Sequence, residues 1–429
     1  LRLSDPIAPS YYVDSAGRRA GLAREPLRGD YETDVAVVGG GIAGCSAALH
    51  LAKRGYRVAL VEAREIGYGA SGRSGGQTIF GLGLSQQSLI AQVGRADAHC
   101  LFDLSVEGLG LLQSLIREYR IDCDYRPNHV HVAVKPRQVR ELAAWERELR
   151  DEYRYDSVSL LDRDELRAHV TSDRYIAGLL DTRSGHLHPL KYTLGLGAAA
   201  ESAGARIFEN TQVLRYTAGA RPRIDTAQGA LHCKHLIFCG SAYLGPVAPT
   251  ISRRILGVGT YVVATEPLAP ERARALLPSD AAVADMNWIL DYFRLSADRR
   301  LLFGGRVSYS AVEPRRLAAS MRKRFLQVFP SLGDVAVERA WGGYLDITMS
   351  RAPNFGRLAD EVYYLQGFSG HGLVLTALGG KLVAEAVAGT AERFDVFTRI
   401  PHRDFPGGTL MRRPALVLAM LYYRLRDFL

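Results

Sequence analysis

The chain has 429 residues, too many for one simple core, and its 47% hydrophobic and 23% charged residues are those of a folded protein rather than a disordered or fibrous one. No apolar run approaches the roughly 20 residues that cross a bilayer, and residues 1–30 lack the apolar stretch of a secretory signal, so an integral membrane protein is not expected. The net charge of +9 is spread along the chain without a basic–aromatic motif, which argues against nucleic-acid binding and fits an anionic cofactor or an acidic substrate.

The first element with chemical content is residues 34–62. Val35 to Val38 reads as a central parallel strand. Gly39, Gly41 and Gly44 then give a tight turn, a close backbone approach to a pyrophosphate, and a helix that packs near the sheet. The helix runs from about Ala43 to about Arg54, and Ile42 and Ala43 are expected among the cofactor contacts. A second strand, residues 57–61, ends at Glu62, whose carboxylate is placed to accept the hydroxyls of an adenosine ribose, with Ala63 beside it. Only one such fingerprint occurs, so the chain is expected to hold either FAD or NAD and not both. The next segment, 69–77, supplies glycines for backbone contact. Ser71 and Ser74 can donate to phosphate oxygens, and Arg73 can neutralise phosphate charge.

Further along, residues 101–119 and 138–153 have helical periodicity. Residues 122–135 alternate polar and apolar side chains, as in a strand with one solvated face. Residues 189–203 form a helix closed by Gly204, and 205–240 carry short strands, the last being 235–239. Residues 255–303 are strand-rich again. An amphipathic helix over 317–329 places Arg315, Arg316 and Arg322 to Arg324 on a solvated face. The strand 362–366 enters a second glycine turn and a long helix, 367–388. The tail, 414–429, is apolar and is expected to dock as a helix on the protein. The five cysteines are scattered, with no Cys-x-x-Cys spacing. Neither a metal site nor a disulfide framework is expected, which fits a reducing cytoplasm.

The turn at Gly367 decides between the cofactors. A glycine turn opening a helix aims N–H groups and a positive dipole at its ligand. A reduced flavin is an anion and gains from that field, whereas a reduced nicotinamide carries no such charge. FAD is therefore expected, with Gly370, His371, Gly372, Leu373 and Thr376 against it.

The expected fold is α/β: a Rossmann-like FAD-binding domain with an inserted, mainly antiparallel substrate domain. The first is drawn from 34–100, 186–255 and 345–405, and the second from 101–185 and 256–344. Residues 1–33 form an N-terminal segment and 406–429 a tail helix.

Several strings now accumulate: Ser10-Tyr-Tyr12, Gly69-Ala70-Ser71-Gly72-Arg73 with Gly75-Gly76-Gln77, and Ile121 to Pro127. They continue with Gly185 to Pro189, Ala242 to Gly245, Ser369 to Gly372, Ala391 to Asp395 and Phe405 to Gly408. On these the chain resembles the D-amino-acid oxidase-like family of FAD oxidoreductases, which includes glycine and sarcosine oxidases. Within the family the likeness is to a branch acting in putrescine breakdown. The resemblance implies oxidation of the terminal primary amine of γ-glutamylputrescine, or a related polyamine conjugate, to an aldehyde plus ammonia. It also implies hydride transfer to flavin N5, with O2 or another acceptor reoxidising the flavin. It adds Val213, Gly240, Tyr243 and Gly343 to the cofactor contacts. No cysteine follows Cys239 and no histidine lies in 69–77, so non-covalent FAD is expected. Asn128 to His131 and Ser74 depart from the branch pattern and leave the amine open.

The amine must be neutral to give up hydride, which at neutral pH costs roughly 4–5 kcal/mol for a lysine-like group. A desolvated aromatic pocket lowers that cost. Tyr261, Tyr292, Tyr344 and Trp341 are candidates to line it, with His371 as a further catalytic candidate. His186 stands as a substrate contact, and Arg294 or Lys381 as the partner of a substrate carboxylate. Each aromatic could equally be ordinary core. The alternatives within and outside the fold are an oxidase of a secondary amine or amino acid, an NAD dehydrogenase, and a basic flavoprotein with no catalytic role.

Overall fold

The computed structural model describes residues 10–17, 24–308 and 316–406, with the side chains of 306–308 undescribed. The expected tail helix lies outside them.

A six-stranded sheet carries the dinucleotide motif. Its order is Asn354–Ala359, Val362–Gln366, His235–Phe238, Val35–Val38, Val58–Val61 and Arg206–Phe208. All neighbours are parallel except the first pair. Val35–Val38 and Val58–Val61 are buried at every position, the expected mark of strands covered on both faces. One face packs the helices Ile42–Ala52 and Gly372–Val387. These approach so closely that a Cβ on Gly380 would stand 2.6 Å from the Ala47 nitrogen. The other face is covered by a four-stranded sheet, Gly29–Glu32, Gly229–His232, Arg223–Thr226 and Val213–Thr217, through Val213, Ile224 and Leu231.

The second large sheet has nine strands. Its path is Val337–Ile347, Leu256–Thr265, Leu301–Ser308, Tyr292–Leu295, Ala282–Asp285, Arg126–Ala133, Ala177–His186 and Gln77–Thr78, and Val158–Leu161 also pairs with Ala177–His186. Only Ala282–Asp285 with Arg126–Ala133 is parallel. Behind it the helix Leu317–Val328 buries Met321 and Phe325 against Val263, Phe293 and Phe303.

Three details differ from the sequence reading. The helix expected at 101 begins at Arg95, and a helix Gln86–Val93, capped by Ser85, precedes it. Gly94, at φ 81°, separates the two. Strand Arg126–Ala133 has no solvated face along its second half, because it lies between two neighbours with His129 fully buried. Arg324 is not simply solvated: its Nη2 lies 2.6 Å from the buried Asp291 carboxylate. His188 caps the helix Pro189–Ser202, with Nδ1 accepting from the Lys191 N–H at 3.1 Å.

Candidate active site

A cavity of about 390 Å³ runs from the glycine turn after Val35–Val38 to the face of the nine-stranded sheet. At the first end the backbone leaves no room for side chains. Gly39 sits at φ +113°, and a Cβ there would fall 2.8 Å from the Cys239 carbonyl carbon. A Cβ on Gly44 would lie 1.9 Å from the Gly39 oxygen, so Gly44 packs the helix onto the turn and does not itself line the cavity. Gly41, Ile42 and Ala43 do line it. The Ser71 hydroxyl accepts the Ile42 N–H at 3.0 Å, which leaves its own proton to donate onward. Glu62 lines the cavity with Ala63. Its carboxylate accepts the N–H groups of Gly40 at 2.6 Å and Arg64 at 2.9 Å. Burial pushes its pKa up, against the pull of those two bonds.

The loop Gly69 to Gln77 forms the floor, with Gly69, Ala70, Ser71, Arg73, Ser74, Gly75, Gly76 and Gln77 all on the cavity. Arg73 is 5% exposed. Its Nε donates to the Tyr68 carbonyl at 2.8 Å and its Nη1 to that of Gly342 at 3.0 Å, while Nη2 has no partner. A buried guanidinium with an open donor suits an anionic ligand. Gly343 packs against Arg73 at its Cβ rather than reaching the cavity. Val213, Gly240 and Tyr243 complete this end.

The far end is bounded by Gly370, His371, Gly372, Leu373 and Thr376 at the start of the helix Gly372–Val387. Opposite stand Tyr292, Thr260 and His131 of the nine-stranded sheet. Tyr292 is pinned: its ring occupies the place of a Cβ on Gly75 (2.3 Å) and on Gly304 (2.0 Å). Burial pushes its phenol up to about 12. Burial also lowers His371 to about 4, with Arg351 adding to the effect, and lowers His131 to about 3. Both imidazoles are therefore neutral at pH 7.

Six residues expected at the substrate do not line the cavity. Trp341 is fully buried, with Nε1 donating to the Arg73 carbonyl at 3.0 Å. Arg294 donates from Nε to the Gly75 carbonyl at 2.7 Å and from Nη2 to the Tyr12 hydroxyl at 3.1 Å. Both hold the loop from behind. His186 donates to the Asp280 carbonyl at 2.8 Å. Tyr261 packs in the core behind the sheet, and Tyr344 packs edge-on to Tyr243. Lys381 pairs with Glu107 at 2.8 Å. In their place the cavity receives His131, Asp285, Trp288, Asp346 and Arg351, which the sequence did not single out. Asp285 accepts from the Asn287 N–H at 3.0 Å and the Asn287 amide at 2.9 Å, and burial raises it to about 7.

The profile of the DAO family, FAD dependent oxidoreductase, matches residues 34–386. The chain belongs to this family. It is 40% identical to the γ-glutamylputrescine oxidoreductase of Escherichia coli K12, over 97% of this chain and 98% of that one. It is 38% identical to a Haemophilus influenzae protein named "Probable oxidoreductase OrdL", over 97% of each. Among solved structures, glycine oxidase from Bacillus cereus superposes with a TM-score of 0.71 at 20% identity, covering 86% of this chain and 99% of that one. As a family member the chain is an FAD-dependent oxidoreductase. The residues present fit FAD: a side-chain-free turn for the pyrophosphate, Glu62 for the ribose, the open Arg73 donor, and a helix start at the far end. Among the described residues no cluster of three metal-ligating side chains occurs, and no single helix is long and apolar enough to cross a membrane.

Proposed function

We propose that the chain oxidises the terminal primary amine of γ-glutamylputrescine, or of a closely related polyamine conjugate, to an imine that water hydrolyses to an aldehyde and ammonia. The observation that carries this reading is the 40% identity, over nearly the full length of both chains, to a γ-glutamylputrescine oxidoreductase. FAD, when bound, supplies the two-electron acceptor for the hydride on the amine-bearing carbon. Reoxidation falls to O2 or another acceptor.

The chain's own residues prepare the amine. Tyr292, His131 and His371 present a phenol and two neutral imidazoles to the cavity. Such a wall solvates an ammonium poorly, so it favours the neutral amine that hydride loss requires. Neither imidazole is a strong base. Of the two cavity arginines, Arg73 belongs to the loop at the dinucleotide end, and Arg351 stands at the far end, close enough to His371 to depress its pKa. We assign the substrate's glutamyl carboxylate to Arg351. The five free thiols support a reducing compartment, the cytoplasm, for this activity.

The test is anaerobic flavin reduction, followed at about 450 nm, with γ-glutamylputrescine, putrescine and sarcosine supplied separately. Rapid bleaching by γ-glutamylputrescine, and slow or no bleaching by the others, is expected. A yellow protein bleached by sarcosine, or by none of the three, would overturn the substrate assignment.

A further inference from the structure

Asp346 lies at the end of strand Val337–Ile347, the edge strand of the nine-stranded sheet, and is 6% exposed on the cavity wall. Its carboxylate accepts the N–H of Gly367 on Oδ2 at 2.5 Å and that of Phe368 on Oδ1 at 3.2 Å. Its own carbonyl accepts the Ser369 N–H at 3.0 Å. One residue thus engages three successive amides of the turn that opens the helix Gly372–Val387. The Ser241 hydroxyl also hydrogen-bonds the carboxylate. Ser241 and Ser369 both sit at φ 51°, a left-handed backbone that costs a non-glycine residue roughly 1–2 kcal/mol. They belong to the turns that follow His235–Phe238 and Val362–Gln366, neighbouring strands of the parallel sheet. Both turns line the cavity.

We propose that Asp346 is a positioning residue for the cofactor: by engaging the amides of Gly367, Phe368 and Ser369 and fixing the Ser241 turn, it leaves the N–H groups of Gly370, Gly372 and Leu373 aimed at the flavin. Amides in the first turn of a helix have no intrahelical acceptor, so those of Gly372 and Leu373 are available to a ligand. The inference rests on FAD binding and not on which amine is oxidised.

The charge on Asp346 gives the role a signature. Burial pushes its pKa up to about 6, against the hydrogen bonds from Ser241, Gly367 and Phe368. A carboxyl whose folded pKa exceeds its unfolded value destabilises the fold once ionised: stability falls as pH rises from about 4 through about 6, and the deficit persists above. The other titratable or charged groups on the elements around it are His371, Tyr243, Cys239, Tyr344 and Arg351. His371 is neutral above about 4, Tyr243 keeps its proton to about 12, and burial raises the Cys239 thiol, so none of these three changes charge near 6.

The experiment compares wild type with Asp346→Asn by fluorescence titration of the apoprotein with FAD at several pH values, thermal melting of the apoprotein, and the two-electron reduction potential of the holoenzyme. Above pH 7 the variant is expected to bind FAD about tenfold more weakly and to show a lower potential, while its apoprotein melts at the wild-type temperature or higher. Wild-type affinity is expected to fall between pH 7 and 5 by a component that the variant lacks. Unchanged affinity and potential, or loss of FAD only alongside a lower apoprotein melting temperature, would overturn the proposal. Should Asp346→Asn fail to fold, Ser241→Ala decides. Removing a donor that lowers the carboxyl pKa should move the affinity break to higher pH, and a break identical to wild type would overturn the role.

Discussion

The two large sheets meet at one cavity and build it by different means. The parallel sheet contributes backbone: the turns at Gly39, Gly240 and Gly367 present N–H groups and bare α-carbons. The nine-stranded sheet contributes side chains, with Tyr292, Thr260 and His131 projecting from continuous strands. Backbone recognition tolerates almost no substitution, because a single added Cβ meets main-chain atoms that cannot move. Side-chain recognition can be altered without unmaking the sheet. Damage to the first should therefore cost the cofactor, and damage to the second should cost the substrate while FAD stays bound.

The harshest test of that division is Gly44→Ala. The new Cβ would stand 1.9 Å from the Gly39 oxygen, inside main-chain contact. Loss of FAD and destabilisation of about 3 kcal/mol or more are expected, read from the flavin-to-protein absorbance ratio after gel filtration and from thermal melting. A variant that keeps its full complement of FAD would break the claim that this end is built from backbone approach.

Acid should separate the sheets from another side. His129, His131 and His186 lie on strands of the nine-stranded sheet, and burial lowers all three, His131 and His186 to about 3. His50, on a helix behind the parallel sheet, is lowered to about 4. A histidine with a depressed folded pKa stabilises the fold above about 6.5, and that stability is lost as pH falls towards the folded value. Buried carboxyls raised by burial act with the opposite sign: Glu62 at the dinucleotide motif, and Asp285 and Asp346 on the nine-stranded sheet, on strands other than the two that carry the three histidines. Between pH 6.5 and 4 the protein should lose several kcal/mol, and hydrogen exchange should lose protection first in Arg126–Ala133 and Ala177–His186. Equal loss in Val35–Val38 would contradict the contrast.

The same contrast explains what the sequence made legible. The turn from Gly39 to Gly44, Glu62 and the loop to Gln77 lie within some forty positions, so local spacing placed them on one wall. Tyr292 and Tyr261 were equivalent as sequence: both are strand aromatics in apolar runs. Only the register separates them. Tyr292 pairs with Gly304 and Ala284, and its ring reaches Gly75, while Tyr261 joins the core behind. Arg294 and Trp341 have the chemistry of substrate contacts, yet the fold uses them to hold the carbonyls of Gly75 and Arg73. Asp346 left no signal because its amide partners lie 21 and 22 positions away, in the turn that follows a strand of the other sheet. The alternation through His129 and His131 gave the strand but not its neighbours, and so not the burial of those imidazoles.

A milder change on the side-chain wall is Gly304→Ala. Its Cβ would overlap the Tyr292 ring at 2.0 Å without touching the dinucleotide turns. Tyr292 must rotate or shift, and a displacement near 1 Å at a reacting site costs rate steeply. Flavin content should stay at the wild-type level while anaerobic reduction by γ-glutamylputrescine slows about tenfold or more. Loss of flavin here would show that the two walls are not separable.

The smallest expected effect belongs to Trp341→Phe, and it probes the seam between the walls. Trp341 lies on the nine-stranded sheet, but its one polar bond, from Nε1 to the Arg73 carbonyl at 3.0 Å, holds the loop that carries the cofactor contacts. Phenylalanine keeps most of the buried ring and its edge-on contact with Tyr12, 5.2 Å between centroids, but leaves that carbonyl without its donor. The cost should be about 1 kcal/mol, seen as a small drop in melting temperature. Arg73 keeps its bonds to the Tyr68 and Gly342 carbonyls, and Arg294 still holds Gly75, so the loop retains three anchors. FAD affinity should then weaken by no more than about threefold, because half a kcal/mol or so of loop loosening reaches the cofactor. A loss of tenfold or more would mean that the indole bond sets the Arg73 guanidinium rather than merely its backbone, and that the side-chain wall shares directly in binding the dinucleotide.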